Sequence, residues 1–397
     1  MSASKSIDAA SALLPRAPAA RSHIDPFIVM DVMRAANARE ASGADVIHME
    51  VGQPGTSAPR AVIEAAKSAL DRDRLGYTEA LGLPELRERI AAHYKQVYGV
   101  LVSPDRVVVT TGSSAGFVLA FLAVLDPGGR IALPSPGYPC YSRILRALGG
   151  EAATIETDGA TRWMPVPDQI EAEAQRAELQ GLLLASPTNP TGTMLVGDAL
   201  GDLVAACEAR GLWFISDEIY HGLDYTEPAK TALAFSDAVI VINSFSKYFS
   251  MTGWRIGWMV VPDGLVRTIE RLAQNLYISP PTLSQHAAIA AFDARDDLEA
   301  IKAVYAENRD LLLEALPKAG LTEILPADGA FYLYADVTRF TNDSAAFARR
   351  MLNDIGVAVT PGIDFDAERG NRYIRFSYAG RTEEMAEAAR RLRSWLA

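Results

Sequence analysis

Lys247 lies in the run Ser244-Phe245-Ser246-Lys247-Tyr248-Phe249-Ser250-Met251-Thr252-Gly253-Trp254-Arg255, just after the apolar stretch Ala238-Val239-Ile240-Val241-Ile242. Such a stretch reads as a strand buried on both faces of a parallel sheet. An amine beyond the end of a buried strand is placed for Schiff-base chemistry, which needs a pKa lowered by burial or by a neighbouring cation. Arg255 follows in the same run and supplies a cation suited to a phosphate. Alone, such a lysine is more often a solvated strand-end residue. The hydroxyl-rich flank and Arg255 instead favour pyridoxal phosphate (PLP) bound covalently at Lys247.

Other residues add to that chemistry one at a time. Asp217 ends the hydrophobic run Leu212 to Ile215, in Ser216-Asp217-Glu218. Its ordinary role would be to cap a helix beginning at Glu218-Ile219-Tyr220. In a PLP site, a carboxylate must instead face the pyridine nitrogen and keep it protonated. Tyr220 would then reach the ring hydroxyl. Asn189, in Ser-Pro-Thr-Asn-Pro-Thr-Gly, sits in ordinary turn material but offers a donor to the same hydroxyl. Tyr138, in Pro-Ser-Pro-Gly-Tyr, offers a ring to stack on the cofactor. Gly112-Ser113-Ser114-Ala115-Gly116 falls between a strand and a helix, where amides and hydroxyls cradle phosphate. Arg375, a lone charge in Tyr-Ile-Arg-Phe-Ser, is either a solvent-facing strand residue or a bidentate clamp for a carboxylate.

The elements that must position these residues alternate in kind. Strands are expected at Arg106 to Thr110, Ile131 to Leu133 (ending at Pro134), Leu182 to Leu184, Leu212 to Ile215, the run before Lys247, and Trp258 to Val261. Ala115 to Leu125 reads as a helix. Alternation of this kind predicts an α/β unit with a mainly parallel sheet. Ser113, Tyr138, Asn189, Asp217 and Lys247 each fall just past a strand, where ligands collect in open α/β sheets. Beyond about residue 290 the pattern shifts to a charged helix over Asp296 to Leu316, strands at Phe331 to Tyr334 and Tyr373 to Phe376, and a closing helix over Glu383 to Leu396. This predicts a smaller α+β unit.

The bulk properties exclude several function classes. The chain has 397 residues, 49% hydrophobic, with a net charge of -11. It is long enough for two units with large cores, and its acidity argues against nonspecific nucleic-acid binding. Cys140 and Cys207 form neither a disulfide framework nor a zinc pattern, and five scattered histidines make no metal pair. Metal is therefore not expected. No run reaches membrane-spanning length, and residues 1–20, rich in Ala, Ser and Pro, lack a signal-peptide core. A cytoplasmic location and no membrane partner are expected.

Taken together, the motifs resemble the class I (class I/II) PLP-dependent aminotransferases of fold type I. The resemblance spans roughly residues 25–395. It rests on Val51-Gly52-Gln53-Pro54-Gly55, Gly76-Tyr77-Thr78 with Gly82-Leu83-Pro84-Glu85-Leu86-Arg87, the Gly112 turn, Asn189-Pro190-Thr191-Gly192, Asp217-Glu218-Ile219-Tyr220, the Lys247 to Arg255 run, and Arg375. It implies a large domain with a mainly parallel seven-stranded sheet flanked by helices, plus a smaller α+β domain. The division would be a mobile leader at 1–22, a segment at 23–50 packing on the small domain, a PLP-binding domain at 51–289 and a small domain at 290–397. It implies that Lys247 forms the Schiff base and moves the proton, with Asp217 on the pyridine nitrogen. Asn189 and Tyr220 would contact the ring hydroxyl, and Tyr138 would stack on the ring. Ser113, Ser114, Ser244 and Arg255 would hold the phosphate, and Arg375, Asn189 and the Gly52 backbone would receive the substrate. Tyr77 would reach the phosphate of a neighbouring subunit, so the chain would be a homodimer with shared sites.

The implied reaction is ping-pong transfer of an amino group from an α-amino acid to a 2-oxo acid. No residue is assignable to a side-chain carboxylate, and Gln274 to Ile278 is a candidate lining for the side-chain pocket. Three other readings compete. A PLP-dependent carbon–sulfur lyase of the same fold would use the same lysine. A serine hydrolase would use Ser114 in Gly-x-Ser-x-Gly with His221 or His286. A noncatalytic PLP sensor would need a DNA-binding segment, which the sequence does not display.

Overall fold

The computed structural model describes residues 16–397, so most of the expected leader lies outside the described residues. Its strands are β1 (Ile47–His48), β2 (Val107–Thr110), β3 (Arg130–Ser135), β4 (Glu151–Glu156), β5 (Gly181–Ala185), β6 (Trp213–Asp217), β7 (Ile240–Ser244), β8 (Gly257–Val260), β9 (Tyr332–Asp336), β10 (Val357–Ala358), β11 (Thr360–Pro361) and β12 (Tyr373–Ser377). The helices are α1 (Ile28–Ala41), α2 (Arg60–Arg72), α3 (Pro84–Tyr98), α4 (Ser113–Val124), α5 (Cys140–Leu148), α6 (Pro167–Arg176), α7 (Ala199–Ala209), α8 (Asp263–Leu276), α9 (Thr282–Ala291), α10 (Arg295–Lys318), α11 (Ser344–Ile355) and α12 (Thr382–Leu396).

Seven strands form one sheet in the order β2-β8-β7-β6-β5-β3-β4. All neighbours are parallel except β8, which runs antiparallel to both β2 and β7. The apolar strands alternate between the two faces, as the pleat requires. Val107, Leu182, Leu184, Phe214, Val241 and Trp258 join the core on one face. Val108, Leu183, Ile215, Ile240, Ile242 and Met259 join the core on the other, under α4. Both faces are covered, which is why these segments read as continuous apolar runs.

A second, antiparallel sheet has the order β11-β12-β9, and β1 pairs parallel with β10. Tyr332, Leu333, Ile374, Phe376 and Leu312 build a core of their own there. The long helix α10 contributes Tyr305, Leu312 and Leu316 to it.

One sequence expectation needs correction, one strand was missed, and one alternative falls away. β3 runs through Pro134 to Ser135. Pairing with β5 stops at Ala132, so the missing proline N–H falls where only β4 is alongside. Edge strand β4 was not read from the sequence because only Ala153 and Ile155 in it are buried. Asp217 is the last residue of β6 and caps no helix, since a turn follows it.

Candidate active site

Strand register carries the site's residues to one edge of the large sheet. Asp217 pairs with Ala185 on one side and Ile242 on the other. Gly257 pairs with both Ser244 and Thr110, which brings the end of β7 against the turn into α4. A Cβ on Gly257 would lie 3.1 Å from Ser113 N, so the close approach needs glycine there.

Lys247 follows β7 by three residues in a half-buried turn. Its Nζ donates to the Gly52 carbonyl. It lies 6.0 Å from the Tyr220 ring centroid and 5.9 Å from that of Phe331. Burial lowers its pKa to about 8, helped by the charges of Arg375 and Arg255 and opposed by Asp217. The amine is thereby brought within reach of proton transfer near neutral pH.

Asp217 is buried, and its carboxylate accepts from the Tyr141 hydroxyl and from Ile219 N at 3.0 Å. Burial raises its pKa to about 6, against the pull of those two donors and of Lys247. A protonated pyridine nitrogen facing it would hold it ionised. Tyr141 was missed in the sequence, where a lone tyrosine near the start of the amphipathic helix α5 carries no chemical signal.

Arg375 is 2% exposed, so it is no solvent-facing strand residue. Nη1 donates to Asn189 Oδ1 at 2.8 Å, and Nη2 to Thr360 Oγ1 at 3.1 Å and to the Glu50 carbonyl. Its guanidinium lies over the rings of Tyr332 and Phe365, 4.3 and 4.7 Å from their centroids. Nε is buried without a partner. Asn189 thus orients Arg375 with its carbonyl and keeps its amide as a donor. Glu50, Thr360 and Tyr332 are contributors that sequence reasoning did not find. Tyr220 reaches Tyr332, hydroxyl to hydroxyl, at 2.8 Å. A Cβ on Gly52 would overlap the Tyr332 hydroxyl, which explains glycine at that position.

The turn expected to hold the phosphate has its own fit. Gly112 caps α4 at φ 74°, in the left-handed region that favours glycine. A Cβ there would stand 2.5 Å from Arg255 Nη2. Arg255 is therefore packed against the α4 N-terminus, with Ser113 and Ser114 in the first turn. Ser244 is buried, with Oγ 2.8 Å from Ser246 Oγ and 3.1 Å from the Ile256 carbonyl, to which it donates. Tyr138 presents a half-buried ring, edge-on to Phe27 at 5.8 Å and to Tyr141 at 5.2 Å. A guanidinium, a helix N-terminus, a buried carboxylate and a half-buried amine match the phosphate, ring nitrogen and aldehyde of PLP.

The aminotransferase class I and II family model matches residues 44–392. The chain belongs to this family. It is 48% identical over 382 residues to valine–pyruvate aminotransferase of Mycobacterium tuberculosis, covering 95% of this chain and 98% of that protein. A crystal structure of an aminotransferase from Mycobacterium tuberculosis superposes with a TM-score of 0.93 at 47% identity, covering 96% of this chain and 99% of that one. Aspartate aminotransferase from Thermus thermophilus with maleate superposes with a TM-score of 0.90 at 30% identity, with the same coverage. The protein is thus a PLP-dependent aminotransferase, and amino acids and 2-oxo acids are its substrates.

The remaining predicted residues fall elsewhere. Tyr77 is 83% exposed, in a segment held by Thr282 Oγ1 donating to Gly76 O at 2.6 Å. Ile278, from the candidate pocket lining, is 53% exposed close by, and Ser279 Oγ accepts from Thr78 N at 3.4 Å. Ser114 is exposed, while His221 is bonded to the Tyr98 hydroxyl (2.9 Å) and Ser186 O (3.0 Å), and His286 lies 3.4 Å from Asp73. Neither histidine serves Ser114. No helix among the described residues is long and apolar enough to cross a membrane.

Proposed function

We propose that this aminotransferase takes its amino group from a neutral, aliphatic α-amino acid and passes it to pyruvate or a similar small 2-oxo acid. The carrying observation is that Arg143 and Arg369, which reach the segment around Tyr138, are each paired with a carboxylate, with only the buried Arg143 Nη1 left over. Arg143 donates to Asp364 at 3.0 Å, and Arg369 to Asp366 at 2.8 Å and to the Ser135 carbonyl at 2.8 Å. Arg375 is left for the α-carboxylate, and among the described residues these two paired arginines leave no free guanidinium beside Tyr138 for a second one. The likeness to valine–pyruvate aminotransferase supports the same substrates.

Bound PLP supplies an aldehyde that condenses with amines and a protonated ring that draws off the electrons of the broken Cα–H bond. Arg375 grips the substrate carboxylate, with the Gly52 backbone and Asn189 beside it. The Lys247 amine, its pKa lowered to about 8 by burial, would take the proton from the substrate Cα and hold it for return. Asp217, steadied by Tyr141, holds the ring nitrogen protonated. Asn189 and Tyr220 would serve the ring hydroxyl, and Tyr138 would face the ring. Ser113, Ser114, Ser244 and Arg255 hold the phosphate.

The exposed Tyr77 completes the phosphate site of a second copy, making the enzyme a homodimer. A division at 51–289 and 290–397, with 23–50 on the small unit, is supported by the β1–β10 pair and by Ile28 N and Val29 N donating to Asp364.

The test is a donor panel with pyruvate as acceptor. Valine and alanine should exceed aspartate in kcat/KM by roughly tenfold or more, since an uncompensated buried carboxylate is costly. A preference for aspartate would contradict the substrate assignment.

A further inference from the structure

A cavity of about 410 Å³ opens on the sheet face covered by α3 and α9, and is closed by the first turns of α10. None of the proposed cofactor or substrate residues lines it. Its volume falls in the range of small-molecule sites. His93 projects into it from α3 and is surrounded by aromatic rings. The nearest are Phe292 at 5.3 Å, Tyr98 at 6.0 Å and Phe249 at 6.1 Å between centroids. Neither ring nitrogen of His93 has a hydrogen-bond partner among the described residues. Burial lowers its pKa to about 4, so it stands neutral and offers one donor and one acceptor.

The rim is charged, and the charges are not all matched. Asp224 is paired with Lys302 at 3.2 Å, and Glu299 accepts from the Tyr248 hydroxyl at 2.6 Å. Arg89 is paired with Asp293 but keeps a buried Nε without a partner. Arg295 makes no ion pair or hydrogen bond among the described residues and is exposed at the mouth. Flat aromatic walls, an unbonded neutral imidazole and an unmatched guanidinium select a planar aromatic body carrying one carboxylate.

We propose that this cavity is an effector site for a planar aromatic acid, coupled to the Lys247 site. The coupling has two physical routes. Asn243 and Tyr248 line the cavity and flank Lys247 in the same strand and turn. His221 also lines it, and its Nε2 donates to Ser186 O, at the head of the turn that carries Asn189. In addition, α10 forms one wall and continues into the core of the small sheet, so an occupant fixes the helix that joins the two sheets.

The test uses 2-naphthoate, which has neither an amino nor an oxo group, titrated into PLP-loaded enzyme by calorimetry. One molecule should bind per chain. Ala92→Trp, which fills the exposed mouth, should weaken it at least tenfold, and Arg295→Ala about fivefold. Arg375→Lys should leave it unaltered. Saturation should shift the donor KM or kcat on the order of fivefold, within the usual range of allosteric coupling. Loss of binding in Arg375→Lys alone would place the acid in the substrate site and overturn the proposal. So would the absence of binding to the wild type at millimolar 2-naphthoate. Binding that leaves kcat and KM unaltered would overturn the coupling.

Discussion

At the scale of single residues, function rests on pairs that lie far apart in the chain. Asp217 and Lys247 attract notice in the sequence because a charge at the end of an apolar run is costly without a role. Their partners do not. Tyr141 meets Asp217 across 76 positions, and the Glu50 carbonyl meets Arg375 across 325. A tyrosine in a helix or a backbone carbonyl carries no signal of its own until the fold supplies the pairing. The Tyr141 hydroxyl is a charge-assisted bond to a buried carboxylate, of about 2 kcal/mol. Tyr141→Phe should therefore lower kcat on the order of tenfold or more, with a smaller change in KM. Steady-state kinetics with the preferred donor would check this. A change confined to KM would assign Tyr141 to substrate binding instead.

At the scale of elements, the strands were readable because burial on both faces produces unbroken apolar runs. Direction was not readable. β8 is antiparallel to its neighbours although its composition matches theirs, because hydrogen-bond direction leaves no trace in side-chain pattern. The junction of β2 and α4 is where element geometry meets chemistry. Gly112 there combines a positive φ with contact to the Arg255 guanidinium. Gly112→Ala costs about 1–2 kcal/mol in backbone strain alone and pushes Arg255 away. PLP affinity should fall at least tenfold, measured by titrating cofactor into the apo-protein, while far-ultraviolet circular dichroism stays native. Unchanged affinity would show that Arg255 does not meet the phosphate.

At the scale of the whole molecule, the site gathers residues from both sheets: Lys247 and Asp217 from the large one, Arg375 from the small one. The sequence marked all three, but their meeting depends on β12 facing the edge of the large sheet, which no local pattern encodes. On the homodimer proposed above, Tyr77 is where one copy stops being sufficient. With Leu276 and Ile278 it forms an exposed apolar group, at 83, 49 and 53% exposure. Sedimentation should give twice the 42.8 kDa chain mass. Mixing inactive Lys247→Ala with weakly active Tyr77→Ala should restore activity, because the hybrid holds one site with both native residues. No gain on mixing, with hybrids shown to form, would mean that Tyr77 serves its own subunit or none.

The central claim is that Lys247 carries the cofactor. Borohydride reduction of the PLP-loaded enzyme, followed by peptide mass spectrometry, tests it most directly. The reduced pyridoxyl group should be found on the peptide containing Lys247 and should vanish in Lys247→Ala. Its appearance on another lysine, or a protein that takes up no PLP at all, would contradict the account.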